Sequence, residues 1–149
     1  METPVLYRES FAISGNDFEH GGDAAAKVKL IMKEFGLDPS VIRRLSIANF
    51  EAEMNVIMYA DQGVLDFTVE AGAVRVVVAD RGQGISDINL AMQEGFSTAT
   101  AEMRARGFGA GMGLPNIRRN TDSFEIVSTP GAGTTRRYAV FLTPPAGGR

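Results

Sequence analysis

Apolar positions along this chain change their period several times. Residues 5–13 are rich in β-formers and predict a first strand. Ser14-Gly15-Asn16-Asp17 follows as a turn with capping residues. Residues 17–35 then carry Ala24, Ala25, Val28, Ile31, Met32 and Phe35 at helical spacing. His20 and Gly21-Gly22 weaken its first turns, and His20 reads as a solvated or capping residue rather than a catalytic one. Gly36 stands where a helix C-terminus favours glycine. Asp38-Pro39 opens a second helix, a cap followed by Pro in the first turn, which runs to about residue 60. Val41, Leu45, Ala48, Ala52 and Tyr59 fall on one stripe of it. Ile47, Met54 and Met58 form a second apolar patch, and Phe50 and Ile57 are apolar too. A helix apolar on several sides is expected to lie buried between layers.

Beyond this helix the period drops to two. Asp61-Gln62-Gly63 reads as a turn, residues 64–70 as a strand, and Ala71-Gly72-Ala73 as a short reversal. Residues 74–79 are a nearly continuous β-branched run, as an interior strand requires. Asp80-Arg81-Gly82-Gln83-Gly84 is expected to break that strand. Residues 86–93 predict a short helix. Residues 94–106 lack periodicity and read as a mobile segment leading into a glycine-rich loop. A short helix over 114–119 and strands over 123–128 and 134–142 complete the pattern. The order β-α-α-β-β-(α)-lid-α-β-β contains hairpins and adjacent helices, not serial βαβ units. It predicts an α+β two-layer sandwich, with helices on one face of a mixed, mostly antiparallel sheet.

Length and composition narrow the function classes. The 149 residues suggest a single domain over 1–143, with a disordered tail over 144–149. A 44% hydrophobic and 22% charged composition is that of an ordinary globular protein. The net charge of −3 argues against a general nucleic-acid binder. Without cysteine there are no disulfides, thiol nucleophiles or thiolate metal sites. The single histidine leaves little material for a Ser–His–Asp triad or a multi-His metal site. No signal-peptide pattern and no apolar run of membrane-spanning length occurs, so the expected location is cytoplasmic.

Four stretches carry candidate chemistry. In Gly107-Phe108-Gly109-Ala110-Gly111-Met112-Gly113-Leu114-Pro115-Asn116, glycines occupy alternate positions before a helix-starting Pro. That arrangement suits bare backbone N–H groups turned toward phosphate oxygens; a flexible surface loop is an equal reading of these residues alone. Neither the P-loop nor the Rossmann glycine pattern fits the chain. Glu51 and Asn55 sit four apart on the second helix, about 40° apart around its axis and roughly 6 Å along it. A hydrated Mg²⁺ with phosphate would satisfy both, and an ordinary helix hydrogen-bond pair is the competing reading. Asp80, followed by Gly82 and Gly84, could accept from an exocyclic amine while a flat ring lies on the backbone, or could simply end a strand. Gly131-Ala132-Gly133-Thr134 is either a hairpin turn or a hydroxyl facing a bound base.

The order of these stretches is more specific than any one of them. Glu-x-x-x-Asn on a helix, Asp-x-Gly-x-Gly after a strand, a glycine ladder before a helix, and Gly-x-Gly-Thr before the last strand together resemble the GHKL ATPase superfamily. That group includes gyrase, heat-shock chaperone, histidine-kinase and mismatch-repair ATPase domains. The resemblance spans about residues 10 to 142. It is strongest to the small stand-alone bacterial anti-sigma-factor and stressosome-type serine/threonine switch kinases. Glu94-Gly95-Phe96-Ser97-Thr98 resembles their lid, and Phe124-Glu125-Ile126 with Gly131-Ala132-Gly133-Thr134-Thr135 resembles their ending. Tyr59 stands where these kinases often have His, and Gln83 where Pro is common.

The resemblance implies a Mg-ATP-binding protein serine/threonine kinase that phosphorylates a regulatory antagonist protein in a partner-switching pathway. A sigma factor or other signalling protein would be the partner held, and a homodimer is consistent with the related kinases. It implies that Asn55 binds Mg²⁺ and ATP and that Glu51 is the catalytic residue activating the attacking hydroxyl. Asp80 would take the adenine amine, with Gly82, Gly84 and Ile85 along the base and Thr134 supporting it. Gly107, Gly109, Gly111, Met112, Gly113 and Leu114 would hold the triphosphate. Arg104 or Arg106 could reach the γ-phosphate, although a solvated charge cluster is the stronger reading. The competing function is an ATP-switched adaptor or ATPase subunit that binds a partner through Phe96, Phe108 and Met112.

Overall fold

A computed structural model of the chain describes residues 4–85, 88–93 and 113–142. Strand β1 spans Val5–Ser14, and a single 3-10 turn, Phe18–His20, leads into α1, Asp23–Glu34. Helix α2 spans Pro39–Tyr59 and passes directly into β2, Ala60–Glu70, and β3, Ala73–Gly82. Short helices α3, Ile88–Ala91, and α4, Gly113–Arg119, precede β4, Ser123–Thr129, and β5, Gly133–Phe141. The five strands form one sheet in the order β1-β2-β3-β5-β4, with every pairing antiparallel. The α+β sandwich is therefore as predicted, and the sheet is more uniform than the mixed one expected.

Alternation decides which sheet face is covered. Leu65, Phe67 and Val69 of β2, Val74, Val76 and Val78 of β3, and Tyr138 and Val140 of β5 are buried under the helices. Each such side chain contributes about 1.5–3 kcal/mol when fully buried. The opposite face exposes Val64, Val127 and Phe141. The β-branched run of β3 occupies the centre of the sheet, as an interior strand should.

Helix α2 lies across the sheet on Val41, Leu45, Ala48, Ala52 and Val56. Asp38 caps it by accepting from the Ser40 N–H at 2.8 Å, and Pro39 opens it. Burial between layers is incomplete, because Ile47 and Phe50 remain 38% and 39% exposed. Gly36, at φ +70°, closes α1. Its N–H donates to the Lys33 carbonyl and that of Leu37 to the Met32 carbonyl, a Schellman closure.

Three boundaries differ from the sequence expectation. Asp61-Gln62-Gly63 is strand, not turn, because Gln62 and Gly63 pair with Arg81 and Asp80. The helix-to-strand change takes place within a residue, with a register shift between Ala60 and Gln62 absorbing the reversal. For the same reason β3 does not break at Asp80 but continues paired to Gly82. Helix α1 starts at Asp23 rather than 17, since Gly22 at φ +97° cannot continue a right-handed helix. The predicted segment 94–106 and the 144–149 tail lie outside the described residues.

Candidate functional site

The last turns of α2, the end of β3, the start of β5 and helix α4 converge at one end of the sheet. Glu51 and Asn55 occupy adjacent turns of α2, and both are half-buried. The Glu51 carboxylate accepts from Asn116 Nδ2 of α4 at 2.7 Å. The Asn55 amide oxygen accepts from Arg136 Nη2 of β5. Arg136 also places Nη1 2.8 Å from Asp80 Oδ2, and these two side chains are 2% and 4% exposed. The Thr134 N–H donates to Asp80 Oδ1 at 3.2 Å. One guanidinium thus links Asn55 of α2 to Asp80 of β3.

The Arg136–Asp80 contact is an ion pair rather than a hydrogen bond. Nη1 lies close but lacks hydrogen-bond geometry, and Nε has no partner. Burial pulls the guanidinium below its ordinary pKa, and the Asp80 carboxylate offsets this. Such a group stays charged, because its reference pKa is so high. Tyr138, next inward on β5, donates to buried Asn49 at 2.6 Å, and burial drives its hydroxyl pKa up.

Beside Asp80 the β4–β5 hairpin forms a second polar cluster. Ser128 Oγ accepts from the Ile85 N–H at 2.6 Å and meets Thr134 Oγ1 at 2.7 Å. The glycines here have packing reasons of their own. A Cβ at Gly133, at φ +136°, would stand 2.1 Å from the Asp80 carbonyl oxygen. One at Gly84, at φ +76°, would stand 2.4 Å from that of Thr129, and one at Gly82 would stand 2.9 Å from Ala60 and Tyr59 backbone atoms. The close approaches at these glycines are made by the chain's own backbone.

The structure brings Glu51, Asn55, Asp80, Thr134 and Ile85 to one neighbourhood. Leu114 is buried in the core, so only its backbone is available to a ligand. Gly113 opens α4, and among the described residues no atom lies within 4 Å of a Cβ added to it. Gly107, Gly109, Gly111 and Met112 lie outside the described residues, as do Arg104, Arg106, Phe96 and Phe108. His20 is exposed and paired with Asp17 at 2.9 Å.

Four participants fall outside the sequence expectation. Arg136, Asn116 and Ser128 hold the predicted residues in place. Glu53 accepts from the N–H groups of Gly22, Ala24 and Ala25 at 2.9–3.2 Å, satisfying the start of α1 from α2. A signal existed for two of them. Arg136 shares its parity on β5 with Thr134, Tyr138 and Val140, and Glu53 falls beside Ala52 and Val56 on the buried side of α2. A charge at a core position asks for a partner.

The donor set fits Mg²⁺ only as part of a nucleotide complex. The Asn55 amide and Glu51 carboxylate are hard oxygen donors, as this ion prefers. Among the described residues no group of three or more His, Cys, Asp or Glu could hold a metal alone. Mg²⁺ characteristically keeps waters and takes substrate phosphates for its other positions. An open cleft of about 810 Å³ is lined by Glu51 and Asn116 together with Lys29, Lys33, Arg43, Ile47 and Phe50. Among the described residues, no helix is long and apolar enough to cross a membrane.

Residues 41–147 match the family model described as histidine kinase-, DNA gyrase B- and HSP90-like ATPase. The Serine/threonine-protein kinase RsbT of Bacillus subtilis (strain 168) is 32% identical over 108 residues, covering 70% of this chain and 75% of that protein. An Anti-sigma F factor of Caldanaerobacter subterraneus subsp. tengcongensis is 34% identical over 113 residues, covering 71% and 76%. Among solved structures, the SiaB-SiaC complex from Pseudomonas aeruginosa contains a chain similar in fold. Its TM-score is 0.54 at 16% identity, over 91% of this chain and 89% of that one.

Proposed function

Because this chain belongs to the histidine kinase-, DNA gyrase B- and HSP90-like ATPase family, we propose that it is a Mg-ATP-dependent protein serine/threonine kinase. In this reading it acts in the cytoplasm and phosphorylates a regulatory antagonist protein in a partner-switching pathway. The observation that carries the reading is the convergence of Glu51, Asn55 and Asp80 from two separate elements, with Arg136 and Asn116 as their supports. The names of the relatives support the acceptor class, one being a serine/threonine-protein kinase.

Phosphoryl transfer is mostly a matter of positioning and charge stabilisation. Asp80 would accept a hydrogen bond from the adenine amine, and its orientation is held by the Thr134 N–H and Arg136. Gly82, Gly84, Ile85 and Thr134 would border the base, while Gly107, Gly109, Gly111, Met112, Gly113 and the Leu114 backbone would take the phosphates. Asn55 would hold Mg²⁺, which supplies neutralisation of phosphate charge. Glu51 orients the substrate Ser or Thr hydroxyl and takes its proton, and Asn116 fixes which way that carboxylate faces. The cationic cleft beyond Glu51 offers the side from which a protein substrate would arrive.

A companion role follows from the other relative's name, Anti-sigma F factor: this chain would hold a sigma factor or similar signalling protein as its second partner. The test is a mass measurement. The protein is mixed with Mg-ATP and candidate antagonist proteins from its own genome neighbourhood, and one of them is expected to gain one phosphate. Glu51→Gln should abolish transfer and leave ATP binding intact. If no candidate gains phosphate while ATP-dependent complexes still form, the adaptor reading replaces the kinase.

A further inference from the structure

Among the described residues, Arg136 is the only buried cation. Its inward-facing neighbours Tyr138 and Val140 serve the core, and an apolar residue at 136 could do the same. Removing a guanidinium from water is expensive unless its geometry and hydrogen bonds are complete. Here they are not: Nε has no partner, and Nη1 faces Asp80 without hydrogen-bond geometry. A device made only for stability would be better satisfied. What Arg136 achieves instead is contact with two parts of the candidate site, through Asp80 and Asn55.

We propose that Arg136 is a positioning residue that sets the divalent-cation requirement of nucleotide binding, by competing for the Asn55 amide oxygen while retaining Asp80. This rests on the nucleotide reading given above. In this structure Arg136 donates to the oxygen that a cation would use. Any ligand that needs this oxygen works against the existing contact, so its apparent affinity is lowered by the fraction of molecules in which Asn55 is engaged. Released from Asn55, the guanidinium keeps its ion pair with Asp80, so the base end stays charged and oriented. Arg is suited to this because its planar fork reaches two acceptors, whereas Lys presents one compact charge.

The experiment is calorimetric titration with ATP over a series of Mg²⁺ concentrations, on wild type and on R136K. Lys retains a cation for Asp80 and gives up the second arm. The Mg²⁺ concentration that half-supports ATP binding should fall about tenfold in R136K, the equivalent of one charge-assisted hydrogen bond. A lowered thermal midpoint with an unchanged Mg²⁺ half-point would make Arg136 merely structural and overturn the proposal. Wild type that binds no ATP at any Mg²⁺ concentration would remove the kinase reading itself, and this inference with it. A second readout needs no variant. The Arg136 guanidinium NMR signals should shift when Mg²⁺ is added to the ATP-bound wild type, and their failure to move would equally overturn the proposal.

Discussion

The two ends of the candidate site are built by different means. At the end around Asp80, positions follow from strand pairing. Thr134 reaches Asp80 because Ala79 pairs with Thr135, and it meets Ser128 because those two residues are register partners on β5 and β4. At the end around Glu51 and Asn55, one helix supplies both groups, and single side chains from α4 and β5 hold them. The first end is inseparable from the fold, and the second is added to it. Damage at the first should therefore appear as lost stability, and damage at the second as lost chemistry in a folded protein.

Asp80→Ala is the strongest probe of that contrast. It leaves Arg136 buried without a counter-charge, which should lower stability by about 3–5 kcal/mol in urea unfolding and abolish nucleotide binding. A loss below about 1 kcal/mol would place Asp80 with the added groups instead. Gly133→Val comes next. It forces a Cβ to within 2.1 Å of the Asp80 carbonyl oxygen at a φ that side chains avoid. The expected cost is about 2–3 kcal/mol, read by the same unfolding curve.

At the other end, Asn55→Ala should keep the fold and lose about 1.5–2 kcal/mol, because it removes an acceptor from the buried Arg136 guanidinium. Its Mg²⁺-dependent ATP affinity should fall about tenfold, and unchanged calorimetric binding would remove the metal assignment. The smallest effect calibrates the comparison from outside the candidate site. Asp122 accepts from Arg44 at 2.8 Å and from the Phe141 N–H at 2.7 Å, and those bonds hold its pKa below the ordinary 3.8. A depressed carboxylate contributes stability that is present above its unfolded pKa and lost as pH falls through the folded one. Wild type should therefore lose stability below about pH 4 faster than Asp122→Asn, by under about 1 kcal/mol, as befits a partly exposed pair. Parallel acid profiles would show that the pair contributes nothing.

Local rules account for much of this molecule. The element order, the α+β class, the caps at Asp38 and Gly36 and the central place of β3 all follow from residue spacing and end chemistry. Those rules fail where long-range pairing overrides local turn chemistry, as at Asp61-Gln62-Gly63 and after Asp80. Glycine and Asp there look like strand breakers, yet they pair because α2 delivers the chain straight onto the sheet.

The chain's own order of residues determined the candidates: a carboxylate and an amide one helical turn apart, a carboxylate at a strand end, and a Gly-x-Gly-Thr hairpin. Those depend only on spacing within an element, and spacing is a local property. Tertiary structure alone decided who holds them. Arg136 lies 56 residues from Asp80 and 81 from Asn55, and Asn116 lies 65 from Glu51. No periodicity spans such distances, and only the closing of the sheet under α2 brings the guanidinium between its two acceptors.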